Sequence, residues 1–190
     1  VLAVSLAVAK AAAQSRSLPL YKYIGEISGT DASEMSLPMP MMNVMNGGEH
    51  AKGATDIQEY MIIPIGAQSF AEAIRIGAEV FHALAKVLDE EGYPTTVGDA
   101  GGYAPRVKNA NLAPIGRVLR AIERAGYNPG GDVALALDVA ASEFYKDGIY
   151  NLATENRTMS ANELIDLYQK MAADYPLLSV EDGLDEEDWA

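Results

Sequence analysis

The sequence contains no cysteine, and it has 27 acidic residues but only 14 lysines and arginines. Without cysteine there is no disulfide framework and no zinc–thiolate site, which agrees with the cytoplasmic location that we expect. The formal net charge of −13 argues against nucleic acid as a partner, because nucleic-acid phosphates are bound by basic patches. The same charge disfavours an anionic substrate, unless a bound cation reverses the local field.

Long hydrophobic runs are also missing, so we expect no membrane span. The apolar start at residues 1–13 is interrupted by Lys10, lacks an initiator methionine and a basic leading region, and is too short to cross a bilayer. We interpret it as a helix already under way at the first residue. The acidic residues 185–190 resemble a helix start cut off in its first turn. Together these interpretations predict that the chain is an internal fragment of a longer protein.

Two short apolar segments each end in a carboxylate. Residues 133–138 end at Asp138 and residues 177–181 end at Glu181, with one amphipathic segment between them. Such runs are typical of parallel strands buried on both faces, so the pattern predicts a βαβ unit with two carboxylates at the rim where barrel enzymes carry out their chemistry. These oxygen ligands suit Mg²⁺. The alternative is two acids that only cap loops, and the repetition favours the metal site.

Two further strand candidates, residues 37–44 and 57–63, precede these segments. Only about ten residues separate them, without a helical pattern, which is too short for the usual parallel crossover. We therefore predict an antiparallel pair. The end of the first strand and the start of the second then share a rim, so His50, Gln58 and Glu59 should converge there.

Helix signals complete an α/β element order. Capping-box spacings begin at Ser69 and Ser160, and Pro114 stands near the first turn of a third amphipathic pattern. The predicted order is strand, strand, helix, helix, strand, helix, strand. Turn-like composition over residues 14–36 predicts a linker and a domain boundary near Ser36.

A loop of about twenty residues lies between the predicted helix that begins at Ser69 and the one that contains Pro114. Loops of this length are usually functional or disordered. Its centre is Gly98-Asp99-Ala100-Gly101-Gly102. Three glycines in five residues imply an unusual backbone path. The segment lacks the spacing and the Lys-Ser/Thr pair of a P-loop, so by itself it is a weak signal for phosphate binding.

Five stretches, taken together, resemble the motifs of the glycolytic enolases in their bacterial form. They are MMNVMNGGEHA at 41–51, DIQEYMI at 56–62, VGDAGGYAP at 97–105, LALDVAASEF at 135–144 and SVEDGL at 179–184. They follow the family's order over nearly the whole chain. The resemblance implies part of an enolase-type (β/α)8 barrel that opens strand-strand-helix-helix. Residues 1–36 would be the tail of a small N-terminal α+β domain and a linker, and residues 37–190 the first half of the C-terminal TIM-like barrel.

The resemblance also implies a lyase of glycolysis and gluconeogenesis. Enolases reversibly dehydrate 2-phosphoglycerate to phosphoenolpyruvate, using two Mg²⁺ ions and a lysine base. Concentrated positive charge is needed because removing a proton next to a carboxylate creates a dianion. The metal would also explain how a chain of net charge −13 binds an anion. A homodimer or higher homo-oligomer of the full-length protein is implied as well.

Site residues are implied motif by motif. Asp138 and Glu181 match two ligands of the higher-affinity Mg²⁺. Gln58 matches a substrate contact and Glu59 an acid near the leaving hydroxyl. His50 matches the histidine of a loop that closes over the substrate. The plainer alternatives are a buried ion pair for Glu59 and an ordinary turn histidine for His50.

One position departs from the family pattern. The general acid of the family is the glutamate of Gly-Asp-Glu-Gly-Gly, and Ala100 stands there in this sequence, with no proton to donate. An engineered knockout, a natural inactive or altered homologue and a sequence error all remain open. The third metal ligand, the catalytic lysine and the phosphate-binding Arg and Ser are expected beyond residue 190, and the loop for the second Mg²⁺ before residue 1.

Two other functions compete with the enzyme. A non-catalytic Mg²⁺-binding enolase paralogue that acts as a binding protein is favoured by Ala100. Another barrel enzyme that abstracts a proton next to a carboxylate is also conceivable. The His50 loop and the Gln58–Glu59 pair argue against that third alternative.

Overall fold

The computed structural model describes residues 1–30, 35–107 and 111–189, which divide into two compact units, Val1–Pro38 and Met39–Ala190. The first unit contains helices α1, Leu2–Ser15, and α2, Leu20–Ser28. α1 confirms the predicted opening helix. The interpretation of residues 14–36 as a linker was wrong at α2, which begins after Pro19 and ends at Gly29 in the left-handed conformation that glycine favours.

The second unit is built on a four-stranded sheet with three further strands beside it. In chain order the strands are β1 Met42–Asn46, β2 Glu59–Ile63, β3 Ala134–Asp138, β4 Tyr145–Lys146, β5 Ile149–Leu152, β6 Arg157–Met159 and β7 Leu177–Glu181. The main sheet has the order β1-β2-β3-β7. β2 is antiparallel to both β1 and β3, whereas β3 and β7 are parallel. The predicted antiparallel opening and the predicted βαβ unit are therefore both confirmed.

Three helices cover the sheet: α3 Phe70–Glu90, α4 Ala113–Arg124 and α5 Ala161–Asp174. The opening ββαα order is confirmed, as is the α/β fold class of a barrel part. Ser160 and Glu163 close a reciprocal capping box on α5. On α3 the predicted box is only half formed, because Ser69 accepts from the Glu72 backbone N–H while the Glu72 carboxylate accepts from Gln68 N.

Two expectations at the ends of these elements were wrong, and one sheet was not anticipated. The first strand begins at Met42 rather than at residue 37, since prolines at 38 and 40 cannot donate to a sheet. The antiparallel β4-β5-β6 sheet between β3 and α5 was not anticipated. Asp147 and Gly148, both with positive φ, form the Asp-Gly turn typical of a two-residue hairpin. The described residues 185–189 form a turn rather than a helix start.

Alternation along the strands separates two apolar surfaces. Tyr60, Ile62, Leu135 and Leu137 pack with the helices in the main core. Met61, Ile63, Ala134 and Ala136 form a smaller cluster on the opposite face, which corresponds to the barrel interior. Among the described residues, no helix is both long and apolar enough to cross a membrane.

Candidate active site at the carboxyl end of β3 and β7

Three carboxylates form a row across the interior face of the sheet. Glu59 on β2 pairs with Asp138 on β3, and Asp138 pairs with Glu181 on β7. Directly paired residues point to the same face of a sheet. Along their strands, Glu59 and Asp138 alternate in step with the residues of the interior cluster, so all three carboxylates lie on the interior face. The sequence prediction that Asp138 and Glu181 stand side by side at one rim is therefore matched by the register. Asn46, at the end of β1, extends the row because it pairs with Glu59.

Asp138 is oriented by two hydrogen bonds. Gln58 Nε2 donates to its Oδ2 at 3.2 Å, and the backbone N–H of Ala140 donates to its Oδ1 at 3.1 Å. The carboxylate is only partly buried, so lone pairs remain for a ligand above the rim. Gln58, predicted as a substrate contact, thus also holds a predicted metal ligand in place.

His50 and Glu59 approach each other as predicted. His50 Nδ1 lies 3.1 Å from Glu59 Oε1, with side chains 32% and 16% exposed. The geometry of this contact does not meet that of a hydrogen bond. Burial raises the pKa of Glu59, and the charges of Asp138 and Glu181 raise it further, while His50 lowers it. Glu59 is thereby suited to hold a proton, as a general acid or base must.

Ala100 lies in a tight loop beside β1. Gly98 N donates to Gly102 O at 2.8 Å, and Asp99 N donates to His50 O at 3.1 Å, so the loop also touches the His50 segment. Gly101 has φ +83, a conformation that glycine adopts without strain. Ala100 itself is exposed. The loop therefore brings position 100 to the same rim as His50, but with only a methyl group there.

The backbone after each strand-end acid is strained. Ala140, two residues after Asp138, has φ 48, and Asp182, directly after Glu181, has φ 47. Left-handed conformations are uncommon for residues other than glycine, and they concentrate at functional sites. Val139 N and Ala141 N donate to the carbonyls of residues 181 and 182 at 3.0 Å, which couples the two strand ends.

Sequence reasoning missed a buried hydrogen-bonded bridge at Asp56, three residues before Glu59. Asn111, 1% exposed, accepts from the backbone N–H of Asp56 at 2.8 Å and donates to the Asp56 carboxylate at 2.8 Å. Tyr60 donates to Asn111 O at 2.9 Å. The only sequence signal was polar residues flanking an apolar strand, which is too common to single them out.

A cleft near the rim is lined by none of the three carboxylates. It has a volume of about 520 Å³ and lies between residues 48–56 and the β4–β5 hairpin. A smaller cleft of about 200 Å³ lies beside Ala140 and Asp182. The acidic row itself opens onto the interior face of the sheet.

The donor set at the rim fits a hard cation in part. Asp138 and Glu181 supply neighbouring carboxylate oxygens, the ligand type that Mg²⁺ prefers. A cation there would also offset the repulsion that raises the pKa of Glu59. Within residues 1–30, 35–107 and 111–189, however, no cluster of three or more His, Cys, Asp or Glu side chains is arranged to hold a metal. Asp138 and Glu181 alone would therefore be an incomplete ligand set.

The fold and the rim define a part of a β/α barrel with an acidic site at the carboxyl ends of its strands. This is the end of the barrel where such proteins place their chemistry. A family model described as the enolase C-terminal TIM barrel domain matches residues 34–190. Because the match covers most of the chain, the chain belongs to the enolase family through this domain.

Proposed function

We propose that the protein containing this chain is an enolase, a Mg²⁺-dependent lyase that reversibly dehydrates 2-phosphoglycerate to phosphoenolpyruvate. The observation that carries the proposal is the register row of Glu59, Asp138 and Glu181, with Gln58 and His50 in contact with it. Family membership supports the reaction class. We further propose that it acts in the cytoplasm as a homodimer or higher homo-oligomer.

Each residue has a role that follows from its placement. Bound Mg²⁺ would supply the positive charge that stabilises the dianion formed when the proton next to the substrate carboxylate is removed. Asp138 and Glu181 would hold the metal through their oxygens. Gln58 keeps Asp138 oriented and offers its amide to the substrate. Glu59, with its raised pKa, and His50 would face the leaving hydroxyl.

Ala100 should impair one half of this reaction. A positioned general acid typically contributes about 10²- to 10⁴-fold, and alanine supplies no proton. Proton removal depends on the metals and a base beyond these residues, so it should survive. Loss of hydroxide should be slow, because Glu59 is held against His50 rather than at the position of residue 100.

The test compares the full-length protein with its Ala100→Glu variant. The parent should exchange the proton next to the substrate carboxylate with solvent deuterium, yet form phosphoenolpyruvate at least about 10²-fold more slowly than the variant. Substrate affinity should change little between the two. Lys86→Ala, at an exposed position on α3, is the matched control and should behave as its parent. Equal dehydration rates in parent and variant would show that another residue is the acid.

A second candidate is a non-catalytic Mg²⁺-binding paralogue, which the methyl group at position 100 favours. That function predicts metal binding without proton exchange. If Ala100→Glu binds Mg²⁺ but shows neither exchange nor dehydration, this candidate replaces the enzyme.

A further inference from the structure

Strand β1 has two asparagines whose side chains meet at the rim. Regular alternation would direct residues 43 and 46 to opposite faces of the sheet. The register shifts between Asn43 and Met45, however, so Asn43 pairs with Met61 while Asn46 pairs with Glu59. A β-bulge of this kind redirects a side chain, often beside an active site. Consequently both amides lie on one face, and Asn43 Nδ2 donates to Asn46 Oδ1 at 2.6 Å.

Asn46 is buried directly beneath the glycine loop. It is 2% exposed, and its backbone N–H donates to Tyr103 O at 2.8 Å. A Cβ added to Gly98 would lie 2.8 Å from Asn46 Nδ2, and one added to Gly102 would overlap Asn46 Oδ1. Gly98 and Gly102 therefore both contact this amide, and Gly98 also lies against His50 O.

The amide pair has polar atoms that the surrounding protein does not satisfy. Asn46 Nδ2 and Asn43 Oδ1 are buried without a hydrogen-bond partner. Unpaired buried groups destabilise a fold, so their presence calls for a specific explanation. The loop packs against these amides, and Asn43 Nδ2, a different atom of the pair, approaches Ala100 O at 3.5 Å.

We propose that Asn46, held by Asn43, is a positioning residue that sets where residue 100 stands relative to the carboxylate row. This inference rests on the proposed function, in which position 100 is the place of the general acid. Asn46 is paired with Glu59 in the sheet and supports the loop on both sides of residue 100. Removing the amide side chain lets the loop settle towards β1. A displacement of about 1 Å can lower a rate about 10²-fold.

The test is a double-mutant cycle between positions 46 and 100 in the full-length protein. In the Ala100→Glu background, Asn46→Ala should lower kcat for dehydration about 10²-fold with little change in KM. In the Ala100 parent the same substitution should lower the residual kcat by a much smaller factor, because position 100 carries no acid to be misplaced. Equal losses in both backgrounds would overturn the inference, since they would indicate a general structural effect. Asn162→Ala, at an exposed position on α5, is the control.

Amide hydrogen exchange gives a readout that does not depend on activity. Asp99 N–H is bonded to His50 O, and Tyr103 N–H is bonded to Val44 O. Both should exchange faster in Asn46→Ala, on the order of tenfold, whereas amides of α5 should keep their rates. Unchanged exchange at Asp99 would overturn the inference. If Ala100→Glu were inactive, the proposed function would fail while this measurement still decided whether Asn46 holds the loop.

Asn43→Ala covers the case in which Asn46→Ala does not fold. It removes the 2.6 Å bond to Asn46 Oδ1 but leaves the buried amide between the glycines. The same cycle should then show a smaller loss of kcat, on the order of tenfold in the Ala100→Glu background and less in the Ala100 parent. No coupling between positions 43 and 100 would count against the proposal.

Discussion

The Asp56 carboxylate forms a brace, a set of hydrogen bonds that joins its own segment to those of Asn111 and Thr154. Asp56→Ala should break all of these bonds and lower the stability of the fold. The carboxylate accepts hydrogen bonds from Asn111 Nδ2 at 2.8 Å and from Thr154 N at 3.1 Å, and it is also bonded by the Thr154 hydroxyl. Asn111 is 1% exposed, so its amide has no access to bulk water as a replacement partner. Since Asp56 lies only two residues before Gln58, loss of the brace should also loosen Gln58.

The size of the loss follows from these bonds. An unpaired buried amide donor on Asn111 costs about 1–3 kcal/mol. The two bonds from Thr154 are exposed, and each is worth about 0.5 kcal/mol at the low end of the usual range. The expected decrease in the free energy of unfolding is therefore about 2–4 kcal/mol. Asp56→Asn keeps an acceptor oxygen and loses the charge, so it should cost roughly half as much.

Chemical denaturation of the full-length protein measures these differences. Asp166→Ala, which removes an exposed carboxylate on α5, is the control and should change stability by no more than about 0.5 kcal/mol. The decisive comparison adds Asn111→Ala. If the brace is a unit, the double variant should lose much less than the sum of the two single variants. Additive losses, or an Asp56→Ala protein as stable as its parent, would refute the reasoning.

Three further predictions concern the acidic row and the sheet. Asp138→Ala should weaken Mg²⁺ binding by more than the roughly 10- to 100-fold that is typical of losing an outer-shell partner, as measured by calorimetric titration. The control Glu123→Ala, on the exposed side of α4, should leave the Mg²⁺ affinity unchanged. Equal affinities in the parent and Asp138→Ala would mean that Asp138 only caps a loop. Glu59→Gln should stabilise the metal-free protein at neutral pH, on the order of 0.5–2 kcal/mol. The raised pKa of Glu59 makes the folded state hold its proton more tightly, so stability declines as pH rises from the ordinary pKa of a glutamate through the raised pKa of the folded state. The advantage of Gln should therefore disappear in thermal melts below the ordinary glutamate pKa, and a constant advantage would contradict the assignment. A polypeptide of these 190 residues alone should aggregate or pack loosely, because the four-stranded sheet leaves apolar strand surface uncovered. Leu178, for example, is 63% exposed. A sharp cooperative melt of a monomer would contradict this prediction.

Much of the fold could be predicted because its signals are local. The apolar run that ends at Glu181 was placed at residues 177–181, where β7 lies, since a short run between turn signals needs only neighbouring residues to be recognised. Family membership followed from motifs within single loops and strand ends, and the family model confirms it. The roles of His50, Gln58, Glu59, Asp138 and Glu181 stay predictions.

Ala100 shows how much one residue type can determine by itself. No tertiary arrangement gives a methyl group a proton to donate, so under the proposed function the identity of residue 100 is enough to predict an impaired dehydration step. The two glycines nearest the loop ends were visible in the sequence as well. The reason why glycine is needed at these positions was not visible, because it depends on the closeness of Asn46. Asn46 is separated from Gly98 and Gly102 by more than fifty positions of the sequence.

Only the tertiary structure decided which side chains share the rim. The bulge in β1 brings Asn43 and Asn46 to one face, and alternation alone would have separated them. The raised pKa of Glu59 depends on burial and on charges from two other strands, and the Asp56–Asn111 brace joins residues 55 positions apart. The physical reason is common to all three cases. Hydrophobic pattern and turn chemistry act over a few residues, whereas register, burial and electrostatic environment arise only when distant strands are packed together.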